Sequence, residues 1–253
     1  MTEFSVIIPT LSTRHKLLLR SLQSVLNQSI SPLEVIIVGA DYLPDIRDFI
    51  ATSKFIPSSI PLKILAGEKK LNASEARNLG ASVSSGEWLA FLDDDDYWHE
   101  NYLQIVHKNQ LNDRTDAIVG DLYSVNLQGQ IKKISRNFRL RDLYLYNPGV
   151  TGSNFSIRRD VFATLGGFST SLTVSQDKAL VLELLKASFV LTFADGAIAF
   201  NCQHELPRLT NPRTQLIGYF EFYRQYRKEM SFRDQVKLLK KIAVFWWNSV
   251  IYK

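Results

Sequence analysis

Residues 88–96 read Trp-Leu-Ala-Phe-Leu-Asp-Asp-Asp-Asp, an apolar run of strand length that ends in four consecutive carboxylates. Upstream of it, Asn72 and Glu75 have the spacing of a helix-capping box. Ala76, Leu79 and Val83 then share one helical face as far as Gly86. Three more short apolar runs precede this helix: Phe4 to Ile8, closed by Pro9; Glu34 to Val38, closed by Gly39; and the weaker Leu62 to Leu65. Leu18, Leu22, Val25 and Leu26 repeat at helical spacing between the first two runs, and residues 45–53 read as a further helix before Pro57 and Pro61. Strand and helix alternating over the first 110 residues predict right-handed crossovers and an α/β fold, a mostly parallel sheet flanked by helices. Ligands bind such sheets at the carboxyl ends of the strands, here Pro9-Thr10, Gly39-Ala40-Asp41 and Asp93 to Asp96.

After Asp116 the rhythm changes. Ala117 to Val119, Leu122 to Asn126 and Ile131 to Ile134 read as short strands, with Gly129 at a hairpin turn. Asn154 to Ile157 reads as another strand, Gln176 to Ala187 as a helix, and Val190 to Phe193 and Ala197 to Phe200 as two more strands. Two helices, about Thr214 to Met230 and Arg233 to Ile251, complete the chain as a helical extension.

With 45% apolar and 22% charged residues over 253 positions, the composition excludes a disordered, collagen-like or disulfide-stapled protein. Cys202 is the single cysteine, and no apolar stretch is long enough for a secretory core or a bilayer span. A soluble protein of a reducing, cytoplasmic compartment is therefore expected. Residues 208–253 hold ten Lys/Arg against three Asp/Glu, whereas the whole chain carries only +5, so the body is slightly acidic and the tail basic. A nucleic-acid binder would spread basic residues over a central surface, and no nucleic-acid partner is expected.

Four adjacent carboxylates after a buried strand repel one another unless something compensates them. A hard divalent cation such as Mg²⁺ or Mn²⁺ does so with oxygen ligands, phosphate oxygens included. On an extended segment Asp93 and Asp95 point to the same side and can share a metal and a nucleotide.

Several short motifs accompany this loop in order: Ser5-Val-Ile-Ile-Pro-Thr10, Ser24-Val-Leu-Asn-Gln28, Glu34-Val-Ile-Ile-Val38, Ala76-Arg-Asn-Leu-Gly80, Ser85-Gly-Glu-Trp88 running into the aspartates, Gly166-Gly-Phe168 and Gln176-Asp177. Together they resemble family 2 glycosyltransferases of the GT-A fold over roughly residues 4–205. The resemblance implies a catalytic domain over 1–205, with a nucleotide-binding half (1–110) and an acceptor and base half (111–205), followed by the extension 206–253. It also implies transfer of a sugar, with inversion, from a nucleotide-sugar to an acceptor hydroxyl with Mn²⁺ or Mg²⁺ bound. UDP is the expected nucleotide and a saccharide or lipid-linked molecule of bacterial polysaccharide or glycolipid synthesis the expected acceptor.

Carried over to this sequence, Pro9 and Thr10 would lie against the nucleoside and Arg77 beside the base or the aspartate loop. Asp93 would sit near ribose and metal, Asp94 in the variable middle position of the Asp-x-Asp motif, and Asp95 on the metal. Asp96 would orient the loop or cap a helix starting at Tyr97-Trp98. Gly39 and Ala40 stand where the family often has an acid, so either Asp41 takes that role from a reshaped loop or the base is recognised differently. Thr151 to Asn154 resembles the small polar segment lining the sugar pocket. His204 is a third metal ligand, a phosphate contact or an ordinary polar residue, and Arg208 and Arg213 either close over the diphosphate or are solvated. Asp177 resembles the base that takes the acceptor proton, with Gln176 replacing the usual glutamate.

Gly39-Ala40 and Gln176 also suit a non-catalytic nucleotide-sugar or partner-binding module. A nucleotidyltransferase would carry a glycine-rich loop after the first strand, which Pro9 to Arg14 lacks. Lys237, Lys240 and Lys241 before Phe245-Trp-Trp247 make the last helix basic and amphipathic. It fits either packing on the catalytic domain or a second copy, as Trp and Leu at helical spacing usually do, or peripheral contact with the inner face of the cell membrane.

Overall fold

The computed structural model describes residues 4–11, 14–39, 48, 60–66, 70–111, 114–135, 139–204 and 212–251. Asp41, Arg208, the side chain of Arg213 and, apart from Asp48, the helix expected over 45–53 lie outside the described residues. Strands β1 (Phe4–Thr10), β2 (Glu34–Gly39), β3 (Leu62–Ala66) and β4 (Trp88–Phe91) pair in parallel in the order β3-β2-β1-β4. Successive residues of β1 feed opposite sides of the sheet. Ile7 joins Ile36 and Phe91 in one apolar layer, while Val6 and Ile8 join Leu18 and Trp98 in the other. Burial on both faces explains why β1, β2 and β4 are almost wholly apolar, whereas the edge strand β3 is only partly buried and admits Lys63.

Helix α1 (His15–Leu26) links β1 to β2, and α2 (Ala73–Ser82) precedes β4. The expected capping box starts α2: Glu75 N–H donates to Asn72 Oδ1 at 2.9 Å and Asn72 N–H to Glu75 Oε2 at 2.8 Å. Gly80 of α2 lies against β1, where an added Cβ would fall 2.6 Å from Ile7 Cγ2.

Beyond β4 the sheet is mixed. Strand β8 (Phe155–Arg158) is antiparallel to both β4 and β6 (Ala117–Val125), and β7 (Ile131–Ile134) forms the expected hairpin with β6. The two strands expected at 117–126 are one, and those expected near 190–200 are the single strand β9 (Leu191–Cys202), parallel to β6. Each sequence break marks an irregularity within a continuous strand. The register jumps between Gly120 and Asp121, Gly196 takes φ +85°, and Asp121 Oδ2 accepts the Gly196 N–H at 2.9 Å. Tyr97-Trp98 is not a helix start but the short strand β5, antiparallel to β9; α3 (Tyr102–Gln110) begins four residues later. Stacking of Tyr97 on Phe200 and of Trp98 on Tyr102 favours that arrangement over a continued helix. Two short helices, α4 (Asp142–Leu145) and α5 (Arg159–Thr164), were not evident in the sequence.

Helix α6 (Gln176–Lys186) and the terminal helices α7 (Pro212–Tyr226) and α8 (Phe232–Ile251) cover one face of the sheet. Phe222, Tyr226 and Leu238 are buried in the same apolar layer as Leu180 and Leu184. Lys178, buried in α6, places its ammonium 3.7 Å from the Phe222 ring centroid. Burial, with Lys241 adding repulsion, pulls its pKa down to about 7. We expect Phe222→Ala to cost about 3–5 kcal/mol, since it leaves a cavity and strips a buried amine of its aromatic contact. In urea the wild type and this variant should each unfold in one transition; a separate early step for α7 and α8 would show that the extension folds apart from the 1–205 unit.

Candidate active site

The carboxyl ends of β1 and β4 and the start of α6 enclose a cavity of about 430 Å³. Pro9, Thr10, Arg14, Arg77, Asp93, Asp94, Asp95, Gln176 and Asp177 line it. The parallel pairing of β1 with β4 brings the ends of both strands to one rim.

The tetrad alternates in burial. Asp94 and Asp96 point inward, while Asp93 and Asp95 remain partly exposed. Asp94 is committed to the end of β1. Thr10 Oγ1 donates to its Oδ2 at 2.7 Å, and Arg14 Nη1 to its Oδ1 at 2.8 Å. Burial raises the Asp94 pKa and the neighbouring charge of Asp95 adds to the rise, with Arg14 and Thr10 opposing them. Asp96 is fully buried and anchors the loop. Ser153 Oγ donates to it, as do Asn201 Nδ2 at 3.2 Å and Cys202 N–H at 3.0 Å. Burial raises its pKa well above the usual carboxylate range, and the charges of Asp95 and Asp93 reinforce this. From α1, Ser21 donates to the Asp93 carbonyl at 3.0 Å and also to that of Asp96, while Arg20 donates to the Asp95 carbonyl.

Arg77 reaches from α2 between the two acidic parts of the site. It donates to Asp93 and sets Nη1 3.9 Å from Asp177 Oδ1, with its guanidinium over the Phe168 ring at 5.2 Å. Burial alone would lower its pKa, but Asp93, Asp177 and Asp95 outweigh burial and raise it. Gly152 permits this packing, since a Cβ there would lie 2.7 Å from Arg77 Nη2. Thr151 to Asn154 therefore stands behind the cavity wall, bracing Arg77 and Asp96, and does not line the cavity.

Asp177 lies in the first turn of α6 after Ser175, which takes the left-handed conformation at φ 67°. Its Oδ1 is buried and accepts no hydrogen bond, although the side chain as a whole keeps 19% exposure to the cavity. Burial pushes its pKa up to about 6; Arg77 pulls it down and Asp93 pushes it up. Gln176 Nε2 donates to the carbonyls of Leu172 and Thr173 at 2.9 and 3.0 Å. An ionised glutamate could not make these bonds. The departure from the usual glutamate thus has a structural cause and gives no support to a loss of catalysis.

The residues suit a hard divalent cation. Carboxylate oxygens of Asp93, Asp95 and Asp96 lie within 4.8 Å of one another. Asp96 already accepts three donors, which leaves Asp93 and Asp95 as the available acids. His204 Nε2 lies 2.8 Å from Asp95 Oδ2, and its Nδ1 is buried without a hydrogen-bond partner. Two carboxylates and an imidazole are donors that Mn²⁺ accepts readily, and Mg²⁺ through the carboxylates. Arg14 was missed in the sequence, where it reads as one of several cations near the start of a helix. Nothing in a linear pattern shows that it spans to Asp94 and, at 3.3 Å, to Asp95.

Several known proteins are similar to this chain. An uncharacterized glycosyltransferase of Haemophilus influenzae is 28% identical over 188 residues, 72% of this chain and 62% of that protein. The Escherichia coli UDP-Glc:alpha-D-GlcNAc-diphosphoundecaprenol beta-1,3-glucosyltransferase WfgD is 27% identical over 195 residues, 77% of this chain and 74% of its own. The crystal structure of S. aureus TarS 1-349 in complex with UDP-GlcNAc superposes with a TM-score of 0.65 at 18% identity, covering 88% of this chain and 67% of that one. That likeness carries the fold, the GT-A architecture implied by the motifs. The chain spans less than two thirds of the length of several relatives, the Haemophilus protein among them. The model described as glycosyl transferase family 2 matches residues 5–166, well over half of the chain, and the protein belongs to that family.

Proposed function

We propose that this protein transfers a sugar from a UDP-sugar to an acceptor hydroxyl with inversion, in the assembly of a bacterial surface polysaccharide or glycolipid. The observation that carries the reading is Asp177, which lines the same cavity as Asp93 and Asp95 and whose buried Oδ1 has no hydrogen-bond donor. A base so placed takes the hydroxyl proton as the acceptor oxygen attacks the anomeric carbon from the face opposite the leaving diphosphate. The WfgD relative is named for transfer from UDP-glucose to a diphosphoundecaprenol-linked sugar, and TarS has been crystallised with UDP-GlcNAc. Both support a UDP-sugar donor here, and the first supports a lipid-linked acceptor.

Pro9 and Thr10, at the end of β1, form the wall for the nucleoside. Asp93, Asp95 and His204 are the residues that would hold a Mn²⁺ or Mg²⁺ ion. When bound, that ion neutralises negative charge on the diphosphate. Arg77 keeps Asp93 and Asp177 from repelling each other across the cavity and sets the orientation of both. Arg14 draws Asp94 and Asp95 toward β1, so the loop keeps its shape before the donor arrives.

The proton-accepting form of Asp177 is the ionised one, so activity should fall on the acid side. With the pKa at about 6, kcat/KM should drop tenfold per pH unit below that value and level off above it. A pH profile of UDP release from a UDP-sugar and acceptor mixture measures this. An acid limb near pH 4, the ordinary carboxylate range, would remove Asp177 from the role of base.

A further inference from the structure

We propose that the outward face of α7 and α8 docks on the surface of an anionic lipid bilayer. The inner side of α8 is already fixed to the body of the protein. Leu238 is buried in the core, and Asp234 takes a paired ion bridge from Arg141 at 2.7 and 2.8 Å. The opposite side carries a second apolar stripe that is exposed at the surface. Phe232, Leu239 and Trp246 recur every seven residues and so stand in one line along the helix. Phe232 is 80% exposed, Trp246 54% and the adjoining Trp247 60%. Ile217 and Phe220 of α7 continue this surface across a groove of about 630 Å³ shared with Leu239 and Trp246.

Charge selects the occupant. Arg233, Lys237 and Lys240 flank the stripe on α8, and Arg224 lines the groove from α7. The acid among the groove's lining residues, Glu221, accepts the Thr173 N–H at 2.7 Å. A second copy of this face would set like charges against each other. Phosphate headgroups answer the basic flank while the aromatic side chains enter the headgroup boundary, the position that Trp and Phe favour. No helix among the described residues is long and apolar enough to cross a membrane, so the contact is peripheral. Glu221 links this face to the catalytic cavity, because Thr173 lines that cavity together with Asp177. Docking would therefore hold the base side of the cavity one loop away from the bilayer surface.

The test is flotation of the full chain with vesicles of phosphatidylglycerol and phosphatidylethanolamine, against vesicles of phosphatidylcholine alone. The chain should bind the anionic vesicles at least tenfold more strongly, with binding weakening as salt rises. Trp246 and Trp247 are exposed whereas Trp88 and Trp98 are buried, so a blue shift of tryptophan emission on binding reports α8. Trp246→Glu with Trp247→Glu should weaken binding about tenfold or more, as should Lys237→Glu with Lys240→Glu, each with an unchanged melting temperature. Absence of binding to anionic vesicles, or equal binding by these variants, overturns the proposal. So does a concentration-dependent dimer, seen by sedimentation, that Trp246→Glu disperses, since the face would then belong to a second copy. None of these measurements reads sugar transfer, so they stand or fall apart from that activity.

Discussion

Replacing Asp177 by asparagine should lower transfer by about 10³-fold while UDP-sugar binding stays within a factor of about three. The substitution keeps the shape of the side chain and its place in the first turn of α6, but removes its capacity to accept a proton. Because Arg77 Nη1 is 3.9 Å from the carboxylate, too far for a hydrogen bond, Arg77 should stay on Asp93 and the donor side should be little disturbed. A second readout separates a base from a structural acid. The folded pKa of Asp177 is raised, so the folded chain binds its proton more tightly than the unfolded chain does. Stability therefore declines as pH rises from about 4 to about 6, and at neutral pH the ionised group works against folding. Asparagine removes that penalty, which two pH units limit to about 3 kcal/mol. The variant should thus melt higher than wild type at pH 7 and no higher at pH 4. Loss of both activity and stability would mean that Asp177 supports the fold; full activity would remove it from the chemistry.

The sequence reveals this arrangement where it follows from local pattern. The alternation expected of the tetrad matches its burial, with Asp94 and Asp96 buried and Asp93 and Asp95 partly exposed, although the loop is a turn closed by the Asp96 N–H on the Asp93 carbonyl at 3.1 Å and not an extended segment. The capping box at Asn72 and the strand runs of β1, β2 and β4 are equally local. What pairs with the inward acids is not local. Asp94 is held by Arg14, eighty positions earlier, and Asp96 by Asn201 and Cys202, more than a hundred positions later. A sequence pattern carries no signal for contacts that the sheet order creates, and the continuous β6 and β9 were divided for the same reason. Gly120 and Gly196 read as breaks because their function, relieving a register shift between two strands, exists only once those strands pair.

That division of the tetrad leads to a second large effect, a contrast between adjacent residues. Asp95→Ala should reduce Mn²⁺-dependent UDP binding by about 100-fold or more, since losing an outer partner of a metal ligand already costs 10–100-fold. Its melting temperature should hardly change, because Asp95 is partly exposed and Arg14 keeps its bond to Asp94. Asp96→Ala should do the reverse first. It leaves Ser153 Oγ, Asn201 Nδ2 and Cys202 N–H without an acceptor at a fully buried position, a loss of about 2–4 kcal/mol. Calorimetry with UDP, in Mn²⁺ and again in chelator, distinguishes the two. Wild type should bind far more weakly in chelator, and Asp95→Ala should bind equally weakly in both. If Asp95→Ala keeps its response to Mn²⁺ and Asp96→Ala loses it without unfolding, the exposed and buried acids have been assigned the wrong way round, and the metal would have to be held from inside the loop.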